Sequence, residues 1–160
     1  MRRSFKISIG VFAAALAAAL CTVAPAPAAT RSAAVTSTAA QFGEPAYFEM
    51  TDITRHRFVV KIDDPEEIAH ARALVRGETD QLPHVFGRIV KDRAPYNPRW
   101  SYHIDPRTVQ FFDFSIEVCD ATIPYVEEHL AEAGGAFLPG LYWCDWSSRL
   151  IREIPPPSGV

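Results

Sequence analysis

The sequence predicts an α+β domain, with an antiparallel sheet of about five strands and two helices packed on one face. Three observations predict it. Apolar residues alternate over 57–62, a helix pattern with both its caps follows at once, and several strand-like runs then succeed one another without a helix between them. Strands adjacent in sequence favour hairpins and antiparallel pairing, which leaves the helices to cover one face.

The expected order is β-α-β-β-β-α-β. In the first strand Phe58, Val60 and Ile62 alternate with Arg57, Val59 and Lys61. Asp64 then suits a helix N-cap, Pro65 the first helical position, and Glu67 the third place of a capping box. Ile68, Ala71 and Val75 recur at helical spacing, and Gly77 ends the element. Strands are expected over 85–91 and 100–104, followed by a turn at Asp105-Pro106-Arg107-Thr108. The run from Val109 to Cys119 is rich in aromatic and β-branched residues and reads as one long strand. Asp120 is the expected cap of a second helix over 123–133, with Val126 and Leu130 at i,i+4 spacing and Gly134-Gly135 as its stop. A last strand is expected over 149–154.

The N-terminus reads as a secretory leader. Arg2, Arg3 and Lys6 precede a charge-free apolar run over 7–24, and Ala26-Pro27-Ala28 offers small residues for cleavage after Ala28. Cys21 falls inside this leader, and no stable membrane span is expected after cleavage. Residues 29–44 are rich in Ala, Thr and Ser and read as a flexible linker. The folded domain is placed at 45–154, and the Pro-rich tail at 155–160. The leader holds three of the 16 Lys and Arg and none of the 19 Asp and Glu, which leaves a mature net charge of −6. That balance argues against a nucleic-acid partner, which needs a basic stripe to displace counterions. Outside the cytoplasm, in a secreted or periplasmic setting, Cys119 and Cys144 are most simply a disulfide, with a catalytic thiol as the alternative.

Four stretches combine rare residues at fixed spacing: Arg93 to Pro106, Phe111 to Asp120, Gly134 to Gly140, and Trp143 to Arg149. Together they resemble a family of small, mostly secreted bacterial domains similar to the N-terminal domain of a slime-mould protein. The resemblance spans about residues 55–154. It implies a domain and export, and carries no activity, cofactor or catalytic residue.

Candidate sites come from the residues alone. The loop Tyr96-Asn97-Pro98-Arg99-Trp100 is stiffened by Pro95 and Pro98, and its aromatics could contact a protein or a saccharide. Tyr96, Arg99 and Trp100, joined by Trp146, are the expected ligand-binding residues. Core packing is the competing reading for Trp100 and Tyr102. Trp143 is expected to pack on the disulfide and Trp146 to be exposed. A polar set, Ser101, His103, Asp105, Asp113, Ser115 and Glu117, would suit acid–base chemistry if hairpin register brought His103 to the carboxylates. An ordinary solvated sheet face explains the same residues. Asp63, Asp64, Glu66 and Glu67 lack the spacing of a calcium loop, and His56, His70, His84 and His129 contain no i,i+4 pair, so no metal is expected. No phosphate loop or nucleophile elbow occurs, and no cofactor is expected. These observations favour a secreted binding module of unknown ligand. A small hydrolase built on His103 and a structural or stress-protective exported protein are the alternatives.

Overall fold

A computed structural model describes residues 43–157. The leader and most of the linker lie outside the described residues, as do the last three residues of the tail. Among the described residues no helix is long and apolar enough to cross a membrane.

The domain is mixed α and β, with antiparallel sheets and two helices, but the strands do not form the single expected sheet. One sheet has the order β2-β1-β9, from Arg57–Ile62 (β2), Ala46–Thr51 (β1) and Arg149–Ile154 (β9). The other is built on His84–Val90 (β3). This strand pairs with His103–Ile104 (β4), Gln110–Phe112 (β5) and Tyr142–Cys144 (β8). Ala133–Gly134 (β6) and Phe137–Pro139 (β7) make a short parallel pair.

β1 is the central strand of its sheet, and sequence reasoning missed it. Tyr47, Phe48 and Met50 are all buried, so the strand shows no in–out alternation. Helix α1, Pro65–Arg76, follows the expected caps. Asp64 Oδ1 accepts from the N–H groups of Glu66 (2.8 Å) and Glu67 (3.2 Å). Gly77 takes the left-handed conformation (φ 69°) that closes the helix. The side chain of Glu67 does not return to the cap, so half of the expected capping box is absent.

The core lies between the two sheets. Phe58 of β2, Tyr102 ahead of β4 and Trp143 of β8 pack ring on ring at 5.1–5.6 Å, tying one sheet to the other. Tyr102 Oη donates to Ile123 O (2.9 Å) and Trp143 Nε1 donates to Ala121 O (2.7 Å), so both buried polar tips are satisfied. In β3, a Cβ on Gly87 would run into Ile104 Cγ2, so any larger residue there forces Ile104 to shift.

Two expected elements are shorter than the sequence implies. Residues 109–119 form no long strand. Pairing stops after Phe112, the chain leaves the sheet, and Glu117–Cys119 makes a single 3-10 turn. Helix α2 covers only Ile123–Glu128, and Leu130 packs on the core from beyond its end. Asp120 does not cap it. Thr122 occupies the cap position, and the Ile123 N–H donates instead to Asp52 Oδ2 (2.7 Å), 71 residues earlier in the chain.

Candidate functional site

The proline-stiffened loop turns its aromatics inward. Tyr96 is 8 % exposed and packs edge-on against Tyr47 on the outer face of the first sheet, with Ala94 beside it. Burial pushes the Tyr96 phenol well above its ordinary pKa. Trp100 is 5 % exposed. β2 is an edge strand, and this loop covers its free side. The Val59 N–H donates to Asn97 Oδ1 (3.2 Å), and Trp100 Nε1 donates to Arg57 O (2.8 Å). Tyr96 and Trp100 are thus buried where exposed contact anchors were expected: Asn97 and the Trp100 indole serve the sheet edge, and the Tyr96 ring packs on Tyr47. Arg99 is exposed, with its guanidinium 5.3 Å from the Trp100 ring centre.

Register separates the polar set. His103 pairs with Val90 at one end of β3, whereas His84 pairs with Phe112 at the other. Six residues of strand, about 20 Å, thus divide His103 from the start of the segment bearing Asp113, Ser115 and Glu117. His103 Nδ1 donates to Asp92 O (2.7 Å), and Asp113 Oδ1 accepts from the Leu82 N–H (2.7 Å). Ser101 offers its N–H to Glu127 Oε2 (2.9 Å). Asp105 is paired with Arg107 (2.9 Å), which holds its carboxyl below the usual range. Asp63 pairs with Lys61 (3.5 Å) while Asp64 caps α1. No three His, Cys, Asp or Glu side chains converge as metal ligands among the described residues.

What the structure does assemble is an apolar loop that the sequence presented as part of one long strand. Phe114, Ile116 and Val118 are 81, 67 and 56 % exposed. The loop is anchored at its end, where Cys119 and Cys144 are bridged with their Cα atoms 5.1 Å apart. The indole resting on this bridge is that of Trp146, not Trp143. Trp146 and Phe86 flank the buried group of Phe112, Cys119 and Cys144, while Trp143 belongs to the main core. Phe114 meets Trp146 edge to face at 5.4 Å, so the loop and the half-buried indole form one apolar surface. A hollow of about 450 Å³ continues it past Trp146 towards the exposed Ile53 and Tyr125. Asp113, Glu117 and Asp120 stand exposed on the loop and beside it.

Buried carboxylates brace this surface from beneath. Asp52 receives the N–H groups of Thr54 (2.9 Å) and Ile123, together with the Thr54 hydroxyl. Asp145 follows the disulfide directly. Its Oδ1 accepts from the Ser147 N–H (2.8 Å) and Oγ (2.7 Å), while its buried Oδ2 has no partner. Burial pushes this carboxyl up to about 7, against the pull of the Ser147 hydrogen bonds. The Asp120 carboxylate accepts from the Trp146 backbone N–H (3.0 Å), fixing the indole beside Phe114. Sequence reasoning missed the loop because three apolar residues at alternate positions signal a strand. Pairing to β3 ends at Phe112, and beyond it Phe114, Ile116 and Val118 stand exposed.

Among protein families, the chain matches the model described as the BP-74 N-terminal domain, over residues 44–157. No curated protein and no solved structure matches the chain.

Proposed function

The chain belongs to the BP-74 N-terminal domain family, and from that premise we propose that it is a secreted binding module that docks a partner protein on the loop Phe114–Val118. The charge-free leader after Arg2, Arg3 and Lys6 and the Cys119–Cys144 bridge support a place outside the cytoplasm. The observation that carries the docking surface is the exposure of Phe114, Ile116 and Val118 on a loop pinned by the disulfide. The bridge restrains the loop before contact, which lowers the ordering entropy lost on binding.

The partner is a protein with an apolar patch rimmed by Lys and Arg. Branched aliphatic tips offer a saccharide no hydrogen bonds, and the Trp146 indole N–H is buried rather than turned outward. Asp113, Glu117 and Asp120 call for a basic rim and disfavour both an anionic membrane and a second copy of this acidic domain.

The test is capture of a partner from the natural extracellular milieu, followed by titration of that purified partner against variants. Phe114→Ala and Ile116→Ala should each weaken binding about thirtyfold or more, the loss expected of a central apolar anchor. Their melting temperatures should stay close to that of the parent chain, because both side chains are exposed. A partner that binds both folded variants as tightly as the parent chain would rule out this loop.

A further inference from the structure

We propose that Arg55, Arg57 and Arg149 form a binding site for a tetrahedral dianion, the sulfate or phosphate group of a ligand. The inference does not rest on the apolar loop. Thr51 of β1 is the register partner of Arg57 on one side and of Arg149 on the other, which sets the two arginines on the same face at one end of the first sheet. Arg55 stands two residues before Arg57, in the turn that joins β1 to β2. An open hollow of about 390 Å³ is lined by Thr51, Arg55, Arg57 and Arg149. A second, of about 330 Å³, is lined by Arg55 and Arg149 together with Asp52 and Ser147.

The charge here runs against the rest of the molecule. The chain carries more acids than bases, and its other exposed arginines include several held by carboxylates: Arg72 by Glu153, Arg76 by Glu78, Arg107 by Asp105. Arg55 and Arg149 form no ion pair among the described residues. Arg57 reaches Glu49 at 3.4 Å, but Glu49 is already engaged by Arg152 at 2.6 Å. Asp52 lines the second hollow, yet its carboxylate is committed to the N–H groups of Thr54 and Ile123. Excess positive charge is therefore left facing solvent. Arg55 also holds φ at 63°, the left-handed region where a non-glycine residue is uncommon, so its backbone is set against local preference. Planar guanidinium forks approaching from a turn and two strands can share the oxygens of a sulfate or phosphate through charge-assisted hydrogen bonds. A carboxylate offers only two oxygens and one charge to the same donors.

The experiment follows the arginine Nε–Hε signals of the oxidised full chain by NMR at constant ionic strength. Inorganic sulfate, inorganic phosphate and acetate are titrated separately. Sulfate or phosphate should shift the Arg55, Arg57 and Arg149 signals along one saturating curve while the paired Arg72 stays still. The stronger of the two identifies a sulfated or a phosphorylated ligand. Acetate should bind about tenfold more weakly or worse. The double variant Arg55→Gln/Arg149→Gln should lose saturation, with an unmoved Arg72 signal reporting an intact fold. Non-saturating shifts that Arg88 and Arg93 share would overturn the site. So would acetate binding equal to sulfate and phosphate, or saturation that survives the double substitution.

Discussion

Replacing Asp145 with Asn should remove a pH dependence of stability that the buried carboxyl imposes. Asp145 is 1 % exposed, and burial is the leading cause that lifts its pKa from 3.8 to about 7. In the unfolded chain the group returns to its ordinary value. Between pH 4 and 7 the folded protein therefore holds a proton that the unfolded chain has released, and stability falls as pH rises through this window. Below pH 4 both states are protonated and the penalty is absent; above 7 both are ionised and it is complete. A difference of about three pH units corresponds to roughly 4 kcal/mol across the window. Asn keeps the acceptor that Ser147 uses but places an amide where Oδ2 lacks a partner. That unpaired donor costs about 1–3 kcal/mol. The variant should thus be about 1–3 kcal/mol less stable at pH 4 and about 1–3 kcal/mol more stable at pH 8. Urea unfolding of both oxidised proteins from pH 4 to 8 measures this. Two curves that run parallel across the window would refute the reasoning, because other titrating groups act equally in both.

Three further substitutions probe the frame beneath the loop. Cys144→Ser opens a bridge between residues 25 apart in sequence and should cost about 2–5 kcal/mol, read from the urea midpoint, with Trp146 emission shifting red as its support loosens. Asp52→Ala strands the N–H groups of Thr54 and Ile123 and should cost about 2–4 kcal/mol; a loss under about 0.5 kcal/mol would show that α2 does not depend on this distant cap. Gly87→Ala forces a methyl against Ile104 and should cost about 1–3 kcal/mol in a thermal melt, whereas an unchanged midpoint would mean that β3 yields freely.

Local signals in the sequence were read well, and failures came where distant partners decide. Asp64, Pro65 and Gly77 act within one helix, so their spacing located α1, and β2 alternates because only one of its faces meets the core. β1 escaped notice because a central strand buried on both faces loses the alternation that marks a strand. The run 109–119 misled in the opposite way. Its alternate apolar residues have strand propensity, but β3 is paired only as far as Phe112. The α2 cap could not be read at all, since Asp52 lies in another part of the chain. The same holds for the candidate site. Prolines gave the stiffness of 95–98 without the direction in which Tyr96 and Trp100 point, and a free strand edge on β2 decided that direction. The disulfide was legible because placing Cys21 in the leader leaves two of the three cysteines, which admit one pairing.

Hydrogen exchange of the oxidised full chain, alone and saturated with its purified partner, tests the docking surface most directly. The account expects slowed exchange at the amides of residues 113–119 and at Trp146, with the amides of 94–100 unchanged because that loop already serves the sheet edge. Protection confined to 94–100, with 113–119 exchanging as in the free protein, would contradict it.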